Sequence, residues 1–244
     1  MLKTLIVNSA KKLGYEIIPS WRKKKSALAE LLWKIFETKS IDLVLDVGAN
    51  KGQYGEFLRH HVGYKGKIIS FEPIRNNFLS LSEKAKNDSS WSAFQLALGS
   101  QNVKQNINVM AGDVFSSFLE PLYSNVEEYR QFNSVESVEE VNVVTLDSIW
   151  DEIVAPLAGN VYLKVDTQGY DLEVITGSQN HLGSIRALQS ELSVISIYTG
   201  MPTMTQSLSR FNALGFDLCG IFPVCYDSKM RIVELDAVMM NRNT

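Results

Sequence analysis

Long apolar runs, a cysteine framework, histidines at ligand spacing and a charge field of one sign are all missing from this 244-residue sequence. Each absence removes a class of protein. No window of about 18 apolar residues exists, which excludes a helix that spans a bilayer. The opening stretch MLKTLIVNSAKKLGYEIIPSWRKKKS has short apolar pieces broken by Lys3, Lys11 and Lys12. It lacks the continuous apolar core and small-residue cleavage site of a secretion signal, so a cytoplasmic protein is the expectation. The two cysteines, Cys219 and Cys225, are too few for a disulfide scaffold and read as reduced thiols in a strand region. His60, His61 and His181 show no ligand spacing, which argues against histidine-based chemistry. A net charge of −3 and a pI of about 5.7 leave no global basic field for nucleic acid. No internal repeat or low-complexity linker divides the chain.

What is present is an ordinary globular composition, 45% hydrophobic and 21% charged, long enough for one large α/β domain with an added arm. Residues 1–40 read as a helical arm, with Leu28, Leu31, Leu32, Ile35 and Phe36 at helical spacing in SALAELLWKIFE. Its basic cluster, Arg22 to Lys25, is either a solvated face or a peripheral contact for an anionic membrane or a protein. From residue 41 to 244 short β-branched runs alternate with amphipathic segments. Strands are expected at LVLDV (43–47), KIISFE (67–72), SAFQLAL (92–98), VYLKVD (161–166) and ALQSEL (187–192), with helices over 53–61, 74–86 and 170–177. This alternation implies crossover connections and a mostly parallel sheet. NINVM (106–110) and VNVVTL (141–146) read as extra strands flanking a polar segment over 112–140, and the C-terminus reads as an antiparallel hairpin turning at YDSK.

The stretch LVLDVGANKGQYGEF (43–57) concentrates the chemical signal. A buried strand ends, and Gly48, Gly52 and Gly55 follow in a bend from which a helix departs. Such a bend, at the C-terminal edge of a parallel sheet, is where ligands bind. It departs from the G-x-G-x-x-G of dinucleotide sites, and Asp46 places a negative charge just before it. A carboxylate disfavours a pyrophosphate and suits a ligand carrying an ammonium or a sulfonium. That choice sets an NAD-dependent oxidoreductase aside. Glu72 ends the second strand about 20 residues on, where an acid typically binds ribose hydroxyls; capping the helix near Ile74 is its structural alternative.

LDVGANKGQYG, FEP, TLDSI, LKVDTQGYDLEVITG and ELS together resemble, in order and spacing, the FkbM-type S-adenosylmethionine-dependent methyltransferases. The resemblance covers roughly residues 41–240. It implies a class I methyltransferase, Rossmann-like, with a seven-stranded mostly parallel sheet whose last strand is antiparallel. It also implies S-adenosylmethionine as cofactor, with Asp46, Gly48, Asn50 and Gly52 cradling its methionine part and Glu72 on the ribose. Ala97 and Leu98 would flank the adenine, and Ser116 with Ser117 falls where the family often has serines near the cofactor.

Methyl transfer from a sulfonium is an in-line displacement that depends mainly on positioning. A hydroxyl acceptor gains from a base that removes its proton. Asp166, at the end of VYLKVD, is the first candidate and Glu191, at the end of the next strand, the second. The same two carboxylates could instead hold a divalent metal, but no third ligand declares itself and none is expected. Capping of the next helix is the structural alternative for Asp166. Tyr198, in SIYTGMPT, is placed to wall the acceptor pocket. The resulting expectation is an O-methyltransferase acting on a hydroxylated small molecule or glycan, of unassigned oligomeric state. The competing expectation is a binding or scaffold protein that keeps the fold without turnover.

Overall fold

The computed structural model describes residues 26–123, 125–126, 129–157 and 159–244, together with Lys12 and Gly14. The basic cluster at Arg22–Lys25 and most of the expected arm lie outside the described residues. The remainder of that arm is helix α1 (Ala27–Thr38), capped by Ser26, whose hydroxyl accepts from the Ala29 N–H at 3.2 Å.

The chain alternates as its hydrophobic pattern requires. β1 (Leu43–Val47) is followed by α2 (Gln53–Phe57), which continues through a π turn at Leu58–Val62, then by β2 (Lys67–Phe71), α3 (Arg75–Ala85) and β3 (Trp91–Phe94). A second group follows: β4 (Ala97–Leu98), β5 (Val103–Met110) and β6 (Val135–Val144). The chain then returns through α4 (Leu146–Ile149), β7 (Val161–Val165), α5 (Asp171–Thr176), β8 (Ile185–Ser193) and α6 (Met204–Ala213). The hairpin β9 (Phe216–Tyr226) and β10 (Ile232–Asn241) closes it.

Seven strands form the main sheet in the order β3-β2-β1-β7-β8-β10-β9. Neighbours are parallel from β3 to β8, and β10 runs antiparallel between β8 and β9. This is the mostly parallel sheet with an antiparallel C-terminal hairpin that the sequence predicts for a class I methyltransferase. β1 lies in mid-sheet with all five residues buried, because helices cover both faces. One face packs Leu43, Leu45, Val161, Leu163 and Leu188 against Leu146, Val174, Ile175 and Phe211 of α4–α6. The other packs Val44, Ile68 and Tyr162 against Ala29, Leu32, Phe36 and Leu81 of α1 and α3.

Three expectations change in detail. SAFQLAL is two strands in two sheets, not one. The chain folds back at Leu96, whose N–H donates to the Phe94 carbonyl at 3.0 Å, and Ala97–Leu98 then pairs with β6 in a separate sheet, β4-β6-β5. VNVVTL ends as a strand at Val144, since Thr145 is the N-cap of α4 and accepts from the Ser148 N–H. The polar segment contributes a strand from Val135 onward, and the rest of it is pinned to the body by bridges at Asn108–Ser117 and Pro121–Tyr198. Cys219 and Cys225 are unbridged on β9, and among the described residues no helix is long and apolar enough to cross a membrane.

Candidate active site

The C-terminal ends of the parallel strands open into a cavity of about 410 Å³, within the range of about 300–1,000 Å³ usual for small-molecule sites. Gly48, Asn50, Glu72, Ala97, Leu98, Ser116, Asp166 and Glu191 all line it. Asp46 and Gly52 lie behind its wall.

The bend after β1 is held entirely by the protein. Gly48 and Ala49 both donate their N–H groups to the Phe71 carbonyl at 3.0 Å, and Gly52 donates to Ala49 at 2.8 Å. Asn50 donates its backbone N–H to Glu72 Oε2 at 2.8 Å, and Lys51 donates to Asn50 Oδ1 at 2.6 Å. No N–H of Gly48 through Gly52 therefore remains for a phosphate, which removes the feature a dinucleotide site depends on. Gly48 has φ +77°, and a Cβ there would stand 1.9 Å from the carbonyl oxygen of Asp166. Its missing side chain lets β7 end against the bend.

Glu72 is 4% exposed and uses both oxygens, Oε2 on Asn50 and Oε1 on the Ile74 N–H at 2.9 Å. It thus ties the bend to the start of α3, as its structural alternative anticipates, while still facing the cavity. Burial pushes its carboxyl up to about 7, against the pull of the two backbone N–H groups.

Asp46 is fully buried. Its Oδ2 accepts from Ser70 Oγ at 3.0 Å, and Ser70 in turn accepts from the Trp91 indole N–H at 3.0 Å. Its Oδ1 has no hydrogen bond and lies 3.6 Å from Lys164 Nζ. Burial raises the Asp46 carboxyl, with Lys164 opposing that rise. Lys164 reaches the cavity from β7 and bridges Asp46 to Asp166, whose Oδ2 is 3.0 Å from the same ammonium. Burial works against the lysine's charge, yet the two carboxylates hold its pKa above the ordinary lysine value.

At the far end Asp166, Glu191 and Asp236 converge on the cavity. Glu191 and Asp236 stand directly opposite each other on β8 and β10. Gln168 donates from Nε2 to Glu191 Oε2 at 2.6 Å and to Asp166 Oδ1 at 3.2 Å. Burial first, and then the charges of Asp166, Glu234 and Asp236, raise the Glu191 carboxyl. Beside them Tyr54 and Tyr162 both donate to Gln189 Oε1, at 2.7 and 2.9 Å. Asp166 caps no helix; Asp171 braces the turn instead, accepting from the Thr167 N–H and hydroxyl at 3.0 and 2.9 Å. Among the described residues no group of three or more His, Cys, Asp or Glu side chains is arranged to hold a metal.

Two placements escape sequence reasoning. Tyr198 is fully buried one layer behind the cavity, with its hydroxyl on the Phe115 carbonyl and Gln168 Oε1 at 2.5 and 3.0 Å. Asp236 and Gln189 belong to the acidic end although nothing singles them out. The alternation in the C-terminal hairpin was the available signal, since it sets Asp236 on the face opposite its apolar neighbours Leu235 and Ala237. His181 is structural: Nδ1 meets Asp147 Oδ1 at 2.8 Å and the ring stacks on Trp150.

A sequence profile of the Methyltransferase FkbM domain matches residues 46–218. That span is most of the chain, and the protein belongs to the FkbM methyltransferase family. Among solved structures it is similar to the methyltransferase FkbM of Methylobacillus flagellatus KT, with 14% identity over 81% of this chain and 43% of that one and a TM-score of 0.48. The chain therefore spans less than half the length of that protein. It is also similar to Aeropyrum pernix fibrillarin, solved with natively bound S-adenosyl-L-methionine (11% identity, 90% of this chain, 76% of that one, TM-score 0.46). A third is a SAM dependent methyltransferase from Aquifex aeolicus (12% identity, 96% and 97% covered, TM-score 0.41). No curated protein sequence matches the chain.

Proposed function

We propose that the cavity binds S-adenosylmethionine at its Gly48–Glu72 end and a hydroxyl acceptor at its Asp166–Glu191 end, making the protein an O-methyltransferase of a sugar, glycan or related natural product. The observation that carries this reading is continuity: one cavity joins the bend after β1 to the carboxylates at the ends of β7 and β8. S-adenosylmethionine, when bound, supplies a methyl group activated on a sulfonium.

The residues around it fit that chemistry. Glu72 is the acid for the ribose hydroxyls, and Asn50 lies beside it at the methionine side. Leu96, Ala97, Leu98 and Ile107 form an apolar slot of adenine character, with Ser116 at its rim. Among the described residues Lys164 is the sole Lys or Arg side chain lining the cavity and is committed to Asp46 and Asp166, so the site suits a cationic ligand better than an anionic one. Asp46 and Gly52 shape the bend from behind rather than touching the ligand. At the other end Asp166 orients the acceptor hydroxyl and takes its proton as the new C–O bond forms and the methyl–sulfur bond breaks. Glu191 is the second carboxylate at that position.

The test has two stages. Calorimetry with adenosylhomocysteine should show one site per chain; its absence would favour a scaffold that has kept the fold. Incubation with labelled methyl donor and a panel of glycans and hydroxylated compounds should then transfer label. Asp166→Asn should lower that transfer by about 100-fold while adenosylhomocysteine still binds, and unchanged transfer would remove Asp166 from its role.

A further inference from the structure

Gln168 stands in the turn LKVDTQGYD between the two candidate carboxylates, and its backbone is strained. It has φ +51°, a left-handed conformation that side chains rarely adopt, and Gly169 follows at +90°. The surroundings hold it there. Ser117 Oγ donates to the Gln168 carbonyl at 2.7 Å, and Asp171 fixes the preceding Thr167 from the other side. Strain that is over-determined by its neighbours marks a functional constraint.

The side chain shows what the strain achieves. The two hydrogens of Nε2 go to the two carboxylates, Glu191 at 2.6 Å and Asp166 at 3.2 Å. Lys164 pairs with Asp166 and Asp46. Two partly buried carboxylates repel unless donors hold them, and the Gln168 amide is the donor they share. Its Oε1 faces the Tyr198 hydroxyl, whose single hydrogen is shared between Gln168 and the Phe115 carbonyl. Phe115 closes the short turn Asp113–Phe115, and Asp113, Val114 and Ser116 line the cofactor end of the cavity. One amide is therefore bonded to the carboxylates directly and linked through Tyr198 to the segment at the other end.

We propose that Gln168 is the positioning residue of the acceptor site, aiming the Asp166–Glu191 pair into the cavity and, through Tyr198, fixing it relative to the cofactor-side segment 113–118. This rests on the methyltransferase reading of the cavity. Gln168 exchanges no proton and need not touch the acceptor; it sets where the two carboxylates stand when the acceptor arrives.

Glycine and alanine at position 168 separate positioning from folding. Both delete the amide, but glycine accepts the positive φ without steric cost. Gln168→Gly should therefore melt higher than Gln168→Ala, while both lose methyl transfer equally. The loss is about 10- to 100-fold in kcat for the panel compound that the wild type methylates. Adenosylhomocysteine should bind both variants within about threefold of wild type, since Gly48, Asn50 and Glu72 are untouched. The acidic limb of the pH profile for the residual transfer should move to higher pH in both variants, because the two carboxylates lose the donor they share. Transfer that tracks melting temperature, wild-type transfer in either variant, or an acidic limb that stays where it is would overturn the proposal and leave the cofactor site standing. A wild type that does not bind adenosylhomocysteine would overturn the cofactor reading and this proposal with it.

Discussion

At the Gly48 end of the cavity the backbone does the shaping, whereas at the Glu191 end side chains from three strands do it. The first end is a run of consecutive residues whose N–H groups are all paired inside the protein, beside Glu72, which is fixed by the N–H groups of Asn50 and Ile74. The second gathers Asp166 from β7, Glu191 from β8 and Asp236 from β10, with like charges directly opposed across β8 and β10. A rigid, satisfied end suits a cofactor that is the same in every turnover. An end with crowded carboxylates and one strained glutamine stores interactions that an acceptor can complete. The difference teaches that the two halves of one cavity should respond differently to substitution.

Lys164 is where the comparison breaks, because it serves both ends. It is 5% exposed and pairs with Asp46 under the bend and Asp166 at the acceptor side. Lys164→Met leaves a buried carboxylate without its countercharge and should cost about 3–5 kcal/mol of stability. Denaturant titration checks this, and a loss under about 1 kcal/mol would show that the two ends are not joined through it.

Gly48→Ala tests the backbone end alone. The methyl meets the Asp166 carbonyl at a φ of +77°, and about 3 kcal/mol of destabilisation is expected from strain and overlap together. Adenosylhomocysteine affinity should fall with it. An alanine variant as stable as wild type would mean that the bend can move away from β7.

Glu72→Gln tests the same end with almost no change of volume. The amide offers one oxygen to two N–H donors, and its NH₂ must then face an N–H. In the proposed complex Glu72 also accepts from the ribose, and a hydrogen bond to a charged group is worth about 1.5–3 kcal/mol, so cofactor affinity should drop by about 10- to 100-fold in calorimetry.

The smallest effect is the pH slope of the free protein. Burial raises Glu72, Asp171 and Glu234 to about 7 and Asp236 to about 6, above the ordinary values of 4.5 for Glu and 3.8 for Asp. Each group binds its proton more tightly when folded. Their stabilising contribution is fully present below the unfolded values and is lost as pH rises through 6 to 7. The melting temperature should therefore decline between about pH 5 and 7 and level off above, with each group adding at most about 1.4 kcal/mol per pH unit. Glu72→Gln should flatten the slope by one such share; an unchanged slope would place the titration wholly at the acidic end.

Legibility in the sequence follows the same division. The bend, Asp46 and Glu72 could be read because they lie in one short stretch and at one strand end, where local pattern and position coincide. The local role of Gly48 needed the structure: a side chain there would meet the Asp166 carbonyl at the end of β7. Ala97 and Leu98 line the cavity from a different sheet than the expected strand, since periodicity does not reveal that a chain changes sheet at Leu96. Gln168 lies within LKVDTQGYD, yet the hydrogen bond from its side-chain amide to Glu191 spans 23 residues.

The sequence by itself determined the alternation of strands and helices, the bend after the first strand and the family, because each is a pattern among near neighbours. Only the tertiary structure decided which carboxylates meet, that Asp46 sits behind the wall with Lys164, and that one glutamine joins both ends of the cavity. Strand order and register bring those groups together, and both are set by packing across the whole sheet rather than by any local run of residues.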